Sequence, residues 1–480
     1  MILFAAVLLP VFGAIWCAFP RSGRAAPFVT ALCVALSFLV ALWVGARVAG
    51  SGMLVAFDGW VQVDAFAAVL MLSIAAVACS ATIYSVGYIA HLRQPPRRVR
   101  TYYANLALFI VSLMAVSVCV EPGLVWIAVE LTTLLSVLLV SFTDTRDALE
   151  AAWKYMIITL LGATVAVLGV LVLFWAQHVA GGTAFSYAGL AADAHRMNPT
   201  LVAAAFALLL VGFGAKIGLF PMHAWLPDAH SQAPAPVCAM LSGVETSAVL
   251  YVLLRLSPVF RAAPGLHADI WFALFGAASL AAAALLIVQT HDLKRLFAFS
   301  TVEHMGIIFL GASIGTATGN LGAIWQILTH ALTKSFCFFV AGAVGVVAGT
   351  TEIANVRGLQ RYAPFVGTML LFGALAIAGA PPFAIFLSEL TIALAAVSSG
   401  HVWIAAVLFI FVAIAFAGTI AKVAGMALGT ERAPGNHHPL PASLVAVIAV
   451  AAVPVLVLGL WVPVGLGTLL TQAAAQMTSP

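Results

Sequence analysis

The sequence predicts an all-α integral membrane protein of about fourteen transmembrane helices, with two inverted five-helix repeats whose helices 7 and 12 of the whole chain are broken. Three observations predict it. Hydrophobic residues fill 64% of the 480 positions and charged residues only 8%, against the roughly one-quarter charged of ordinary globular domains. The mean hydropathy is +1.14, and apolar runs of ~20 residues, the length that crosses a bilayer, recur from end to end. Two of these runs are interrupted by glycine and proline at corresponding places, the pattern of paired discontinuous helices in inverted-repeat transporters.

A hydropathy window places the helices at about 2–19, 28–48, 63–89, 103–120, 124–142, 154–175, 200–220, 234–256, 268–290, 296–315, 320–348, 365–398, 402–428 and 441–467. The first is followed by the charged stretch "FPRSGR" with no cleavage pattern, so it is expected to be retained. The seventh carries "GFGAKIGLFP": Gly212, Gly214 and Gly218 surround Lys216, and Pro221 removes a backbone donor, so the helix opens beside the lysine. The twelfth repeats the device in "AIAGAPPFAIFLSEL", where Gly379, Pro381 and Pro382 precede Glu389. The organisation expected is an N-terminal three-helix segment (1–92), two five-helix repeats (93–262 and 263–432) and a C-terminal helix (433–480). In that scheme Glu130 matches Glu303 and His304, and Lys216 matches Glu389.

Basic residues near helix ends favour the cytoplasmic side. Alternating the loops puts Arg21, Arg24, Arg93, Arg97, Arg98, Arg100, Arg146, Lys154, Lys294, Arg295, Arg357, Arg361 and Arg432 together, leaving Arg47, Arg196, Arg255 and Arg261 opposite. Both termini are then expected on the outer, periplasmic side of a bacterial or archaeal cell membrane. This bias accounts for the net charge of +4, and no nucleic acid partner is needed. Cys17, Cys33, Cys79, Cys119, Cys238 and Cys337 stand singly in apolar runs, without the spacing that holds zinc, haem or an iron–sulfur cluster. No dinucleotide fingerprint, Walker loop or intramembrane Ser/His/Asp set appears. The chain is therefore expected to hold no metal, no cofactor and no catalytic residue of its own, and any redox chemistry must reside in other subunits.

What remains within the helices is a short set of ionisable groups: Glu130, Lys216, Glu245, Glu303, His304, His330, Lys334 and Glu389, with Lys422 near a helix end. A charge at bilayer depth costs ~2.5–3.5 kcal/mol even on lenient scales, so such groups are functional candidates by default. Structural alternatives stand beside that reading. Lys422 suits a snorkelling side chain, Glu245 a helix-packing hydrogen bond to Ser242 one turn away, and Glu130 with Lys216 a self-satisfied buried pair.

The stretches "FPMHAWLPDAHSQAPAPV", "HDLKRLFAFSTVEHMG" and "HALTKSFCFFVAGAV" resemble the signatures of the antiporter-like proton-translocating membrane subunits. That family includes the large membrane-arm subunits of respiratory complex I, the Mrp cation/proton antiporters, hydrogenase-4 and formate hydrogenlyase subunits, and a membrane partner in inorganic-carbon uptake. The pair Glu303-His304 in "STVEHMG" is most similar to hydrogenase-4 component F type subunits. The resemblance implies a proton- or Na⁺-translocating subunit of a redox-driven complex, lodged in the lipid bilayer among other membrane subunits. It implies that Glu130 pairs with Lys216, that His330 and Lys334 form the central relay, and that Glu389 is the terminal group, with Glu303, His223 and His230 as further candidates. One departure stands out. Many relatives carry a Lys or His on the eighth helix, where this chain reads "CAMLSGVETSAV" with Ser242, Glu245 and Ser247; either Glu245 takes over the relay or water alone connects the halves.

The physics can be stated independently of family. Burial favours a neutral lysine and a nearby carboxylate a charged one; at ~4 Å and an effective dielectric of ~20 the attraction is about 4 kcal/mol. Moving a proton against 100 mV needs about 2.3 kcal/mol, so opening such a pair is of the right size to drive transfer. His330 and Lys334, at i and i+4, share a helix face and can pass a proton along it, with Thr329 and Thr333 beside them to hold water. A free-standing fourteen-helix solute transporter and a passive scaffold locked by buried charges are the readings from other classes. The first should display a substrate-sized cavity, and the second should tolerate neutral replacement of a whole pair.

Overall fold

The computed structural model describes residues 2–19, 25–430 and 439–478. Arg21, Arg24 and Arg432, used above for orientation, and the expected boundary at 432/433 lie outside the described residues. The chain runs through α1 (Ile2–Ala18), α2 (Ala26–Ser51), a hairpin of β1 (Leu54–Ala56) and β2 (Val61–Val63), α3 (Ala65–His91), α4 (Pro96–Val118), α5 (Pro122–Val140), α6 (Arg146–Val179) and the short α7 (Tyr187–Asp193). It continues through α8 (Pro199–Ile217), α9 (Trp225–Gln232), α10 (Ala235–Met240), a π-turn (Leu241–Glu245), α11 (Thr246–Ala262), α12 (Ala268–Gln289), α13 (Leu293–Ser313) and α14 (Ala317–Ala348). The remainder is α15 (Leu359–Tyr362), α16 (Pro364–Ile377), α17 (Ala384–Ser398), α18 (Val402–Leu428), α19 (Ala442–Leu460) and α20 (Val464–Thr478).

Among the described residues, twelve helical stretches are long and apolar enough to cross a membrane, and Ala5–Ala18, Pro364–Ile377 and Ala384–Ser398 are shorter apolar helices. Taking the last two as halves of one span gives the fourteen crossings the hydropathy requires. Helix starts follow local chemistry. Pro96, Pro122, Pro199 and Pro364 occupy first turns, where a missing N–H costs nothing. Asp64, Thr145 and Asp292 accept from the free N–H groups of Ala67 (2.9 Å), Ala148 (3.2 Å) and Arg295 (2.9 Å).

Both predicted breaks are present, each in the fourth span of its five. α8 ends on Gly218 at φ 81°, and the chain passes a cis Phe220–Pro221 bond before α9; α16 is followed by Gly379 at φ 72° and a cis Pro381–Pro382 bond before α17. The left-handed backbone at Gly218 and Gly379 is the kind that glycine adopts without a Cβ clash. One element differs from expectation. The fourteenth segment is not a single helix to 467: α19 stops at Leu460, and α20 begins beyond Pro463. Proline withholds the donor that continuation needs. α20 then packs on α3 and α14, where Gln476 Oε1 accepts from Phe66 N (3.3 Å) and Met477 O from Arg261 (2.9 Å).

Three of the stretches that carry the ionisable groups are the most enclosed: the span Ala235–Ala262 is buried from Ala235 to Leu254, and α13 and α14 are buried over most of their length, whereas α5 and α8 are partly exposed. Two helix pairs cross at glycine. A Cβ on Gly162 of α6 would meet Gly212 O at 2.7 Å and one on Gly212 would meet Gly162 O at 2.6 Å; Gly276 of α12 and Gly306 of α13 meet in the same way, at 2.8 and 2.6 Å. Small residues let backbones approach closely where lipid offers no hydrophobic drive to hold helices together.

Candidate functional site

Lys216 sits in the last turn of α8, beside carbonyls freed by the break, the end of a helix that favours a cation. Its ammonium donates to Val129 O (2.6 Å) and to the Thr133 hydroxyl, both on α5, and pairs with Glu245 Oε1 at 3.5 Å. Lysine and glutamate side chains are each 2% exposed. The same Oε1 accepts from the hydroxyls of Thr132 (2.9 Å) and Tyr155 (3.0 Å), and Tyr155 also meets Ser136 Oγ at 2.7 Å. The expected Glu130–Lys216 pair is therefore replaced: the lysine's ion-pair partner is Glu245. Glu130 remains within electrostatic reach, with its Oε1 buried and unpartnered, as is Glu245 Oε2. Nor does Glu245 bond Ser242, since the Ser242 hydroxyl is engaged by Thr301 Oγ1 at 2.6 Å.

The π-turn Leu241–Glu245 joins the two halves. It presents Glu245 to the first set and, through the Ser242 carbonyl, accepts from His330 Nε2 at 3.1 Å. Gly243 lies against α14, where a Cβ would approach Ala331 O to 3.0 Å. A π-turn rotates the residues beyond it relative to an α-helix, which allows one turn to address both sides.

In the second half, Lys334 donates to Phe297 O (2.5 Å) and the Ser300 hydroxyl of α13, the same carbonyl-plus-hydroxyl cradle that holds Lys216. His330 lies 5.1 Å, ring to ring, from His304. His304 Nδ1 accepts from Gln326 Nε2 at 2.8 Å, so its Nε2 carries the hydrogen donated to Ile377 O at 3.1 Å. Ile377 is the last residue of α16, and its carbonyl is free because the helix breaks there. Glu389 Oε1 stands 3.9 Å from His304 Nδ1, and its carboxylate lies over the break at Gly379. Ser388 links Gln326 Oε1 to Thr329 Oγ1, the latter at 3.2 Å. Glu303 is buried within electrostatic range of Lys334.

The structure thus brings together Glu130, Lys216, Glu245, His330, His304, Lys334, Glu303 and Glu389. His223 stands apart, and His230, though within electrostatic range of Lys334, bonds through its ring only its own helix. His223 lies in the α8–α9 connection between the rings of Phe220 (5.6 Å) and Phe299 (6.4 Å), and His230 is bonded to Leu226 O (2.7 Å) and packed on Phe338 (5.4 Å). Lys422 does not snorkel freely; it donates to Thr290 O. Lys216 precedes its break while Glu389 follows its own, so the two are not in equivalent register within the repeats. Sequence reasoning passed over Thr132, Thr133, Tyr155, Ser300, Thr301, Gln326 and Ser388. Among the described residues, no cluster of three or more His, Cys, Asp or Glu side chains could hold a metal ion.

A membrane-embedded bundle with a row of enclosed acids, lysines and imidazoles defines a class of protein built around an ion path. The comparisons specify the family. Residues 123–428 match the family described as NADH:quinone oxidoreductase/Mrp antiporter, TM, and the chain belongs to it. It is 32% identical over 444 residues to the Hydrogenase-4 component F homolog of Methylacidiphilum infernorum, covering 91% of each chain. Its fold is that of a chain in the membrane-bound sulfane sulfur reductase, an archaeal respiratory membrane complex (TM-score 0.89, 24% identity, 99% and 98% coverage). It is likewise that of a chain in the Mrp complex from Dietzia sp. (TM-score 0.84, 20% identity, 99% and 98% coverage).

Proposed function

We propose that the chain is a proton-translocating subunit of a multi-subunit, redox-driven membrane complex of the hydrogenase-4 or complex I type. It lies in a bacterial or archaeal cell membrane with both termini outward, and works as two five-helix repeats flanked by the N- and C-terminal helices. One observation carries the reading. Titratable groups, all but Glu130 fully buried, are strung from Glu130 on α5 to Glu389 on α17: Lys216 lies 3.5 Å from Glu245, His330 lies 3.1 Å from the Ser242 carbonyl and 5.1 Å ring to ring from His304, and His304 lies 3.9 Å from Glu389. A row of proton carriers suits transfer along the bundle rather than recognition of a solute, which needs convergent groups around a cavity. The chain's own groups hold and pass protons; the driving chemistry belongs to its partner subunits.

The test is Lys216→Arg in the assembled complex, reconstituted into vesicles. Arginine keeps the charge but does not release a proton at accessible pH, so assembly is expected to persist and proton uptake to fall to background. Near-normal uptake per assembled complex would remove Lys216 from the path and favour the scaffold.

A further inference from the structure

We propose that the cavity at the end of the bundle where α3 begins and α11 runs out binds the phosphate of a membrane phospholipid, held by the spare N–H groups of Arg255 and the hydroxyl of Tyr187. The inference goes beyond the translocation reading and does not rest on it.

The cavity has a volume of about 470 Å³ and lies where the β1–β2 hairpin, α7, α11 and α20 meet; none of the ionisable groups of the row lines it. That volume is in the range of small-molecule sites. Arg255 of α11 stands in its wall between two aromatic rings, 5.0 Å from the centroid of Tyr187 and 5.6 Å from that of Tyr251, and this stacking fixes the plane of the guanidinium. Nη1 donates to Asp64 Oδ2 at 2.5 Å, which among the described residues is the guanidinium's only hydrogen bond; Nε is buried without a partner. Arg261, further along the same helix, provides the contrast. Its Nε, Nη1 and Nη2 donate to Asp269 Oδ1 (2.8 Å), Met477 O (2.9 Å) and Ala312 O (2.7 Å). A buried donor left unmade costs free energy that a ligand acceptor recovers.

The remaining polar side chains of the cavity decide what kind of ligand that is. Asp64 has both oxygens engaged, Oδ1 by Ala67 N (2.9 Å) and Oδ2 by Arg255. Gln476 Oε1 accepts from Phe66 N (3.3 Å) and Ser186 Oγ from Gly189 N (3.1 Å), which leaves the glutamine amide and the serine O–H to donate. The Tyr187 hydroxyl is buried without a partner, on a residue only 7% exposed. One side-chain acceptor stands against these donors: Gln62 Oε1, whose amide nitrogen is held by Gly59 O at 2.9 Å. A fixed guanidinium ringed by further donors is the complement of an oxyanion with several acceptor oxygens, and arginine suits phosphate in that role. Met53, Leu254, Pro258 and Met477 make the rest of the wall apolar. A free ion has no use for that surface, whereas the glycerol and first methylenes of a lipid cover it. The helix ends also place the cavity at the level where headgroups border the hydrocarbon core.

The experiment counts the phospholipid held by the assembled complex. Complex stripped of lipid in detergent is incubated with phosphatidylglycerol, and bound lipid per copy of this chain is read by native mass spectrometry. Arg255→Lys keeps a charge for Asp64 but loses the planar set of donors; Gln476→Glu keeps the acceptor for Phe66 N and replaces the spare donor by a carboxylate oxygen. Each is expected to hold one phospholipid fewer per chain than the unaltered protein. Tyr187→Phe keeps the ring against the guanidinium and removes only the hydroxyl, so the same lipid should bind roughly 2- to 10-fold more weakly, the worth of one hydrogen bond. Unchanged lipid counts in Gln476→Glu and Tyr187→Phe, with assembly intact, would overturn the inference even if Arg255→Lys failed to fold. So would diacylglycerol, which has the chains without the phosphate, binding equally well and with the same sensitivity to these variants. Displacement of the lipid by inorganic phosphate would overturn the lipid assignment and give the cavity to the free ion.

Discussion

Removing Lys216 alone should destabilise the protein, removing its charge together with that of Glu245 should leave stability nearly unchanged, and both should abolish transport. At the observed 3.5 Å separation and an effective dielectric of ~20, the attraction is about 5 kcal/mol. Breaking a buried pair from one side typically costs about 3–5 kcal/mol, because the remaining charge has no compensation. Against the roughly 5–15 kcal/mol that holds a typical domain folded, Lys216→Met should visibly lower the thermal midpoint of the assembled complex in detergent. The double variant Lys216→Met with Glu245→Gln removes both charges. Its amide oxygen still accepts from Thr132 and Tyr155, so stability should return to within about 1 kcal/mol of the unaltered protein. Proton uptake in vesicles, normalised to assembled complex by size-exclusion chromatography, should be at background in both variants. A double variant that transports normally would refute the relay and leave the pair as a helix lock. A single variant as stable as the unaltered protein would refute the electrostatic account of the pair.

Two further outcomes follow from the geometry. Glu389→Gln keeps the shape of the side chain beside His304 and over Gly379 but removes its titration, so translocation should be lost with assembly intact, read as vesicle proton uptake against subunit content. Gly212→Leu puts a side chain where Gly162 O already lies 2.6 Å from a Cβ; overpacking of about 1–3 kcal/mol or more should reduce the yield of assembled complex measured on native gels, while Gly50→Leu, with nothing within 4 Å, should not.

The spans, the two breaks and the acids, lysines and histidines of the row were legible because a charge or a proline inside an apolar run is expensive and therefore visible. The partners of those groups were not. Thr132, Thr301 and Ser388 each lie within reach of a carbonyl of their own helix, Thr132 Oγ1 being 2.7 Å from Val129 O, so each reads as an ordinary buried hydroxyl. The carbonyls of Val129, Phe297 and Ile377 leave no trace in side-chain identity. Tyr155 gave a faint signal, a phenol directly after Lys154 at the start of the apolar stretch of α6. The reassignment of the lysine's partner from Glu130 to Glu245 depended on the π-turn, which turns a carboxylate into the first half and for which this sequence carries no distinctive composition. The break at Trp461–Pro463 was missed because apolar residues continue on both sides of it.

The glycine crossings bear on how fast and by what motion the protein works. At Gly162–Gly212 and at Gly276–Gly306 backbone lies against backbone, so α6 is held close on α8 and α12 on α13. The interruptions in regular helix lie elsewhere, at the π-turn and at the two breaks. Rotamer changes run in picoseconds to nanoseconds, whereas rocking of whole domains takes microseconds to milliseconds. An architecture of this kind is expected to work as a switchboard with fixed panels, its traffic set by local rewiring of hydrogen bonds, rather than as a carrier that swings its halves to expose a site first to one side and then to the other.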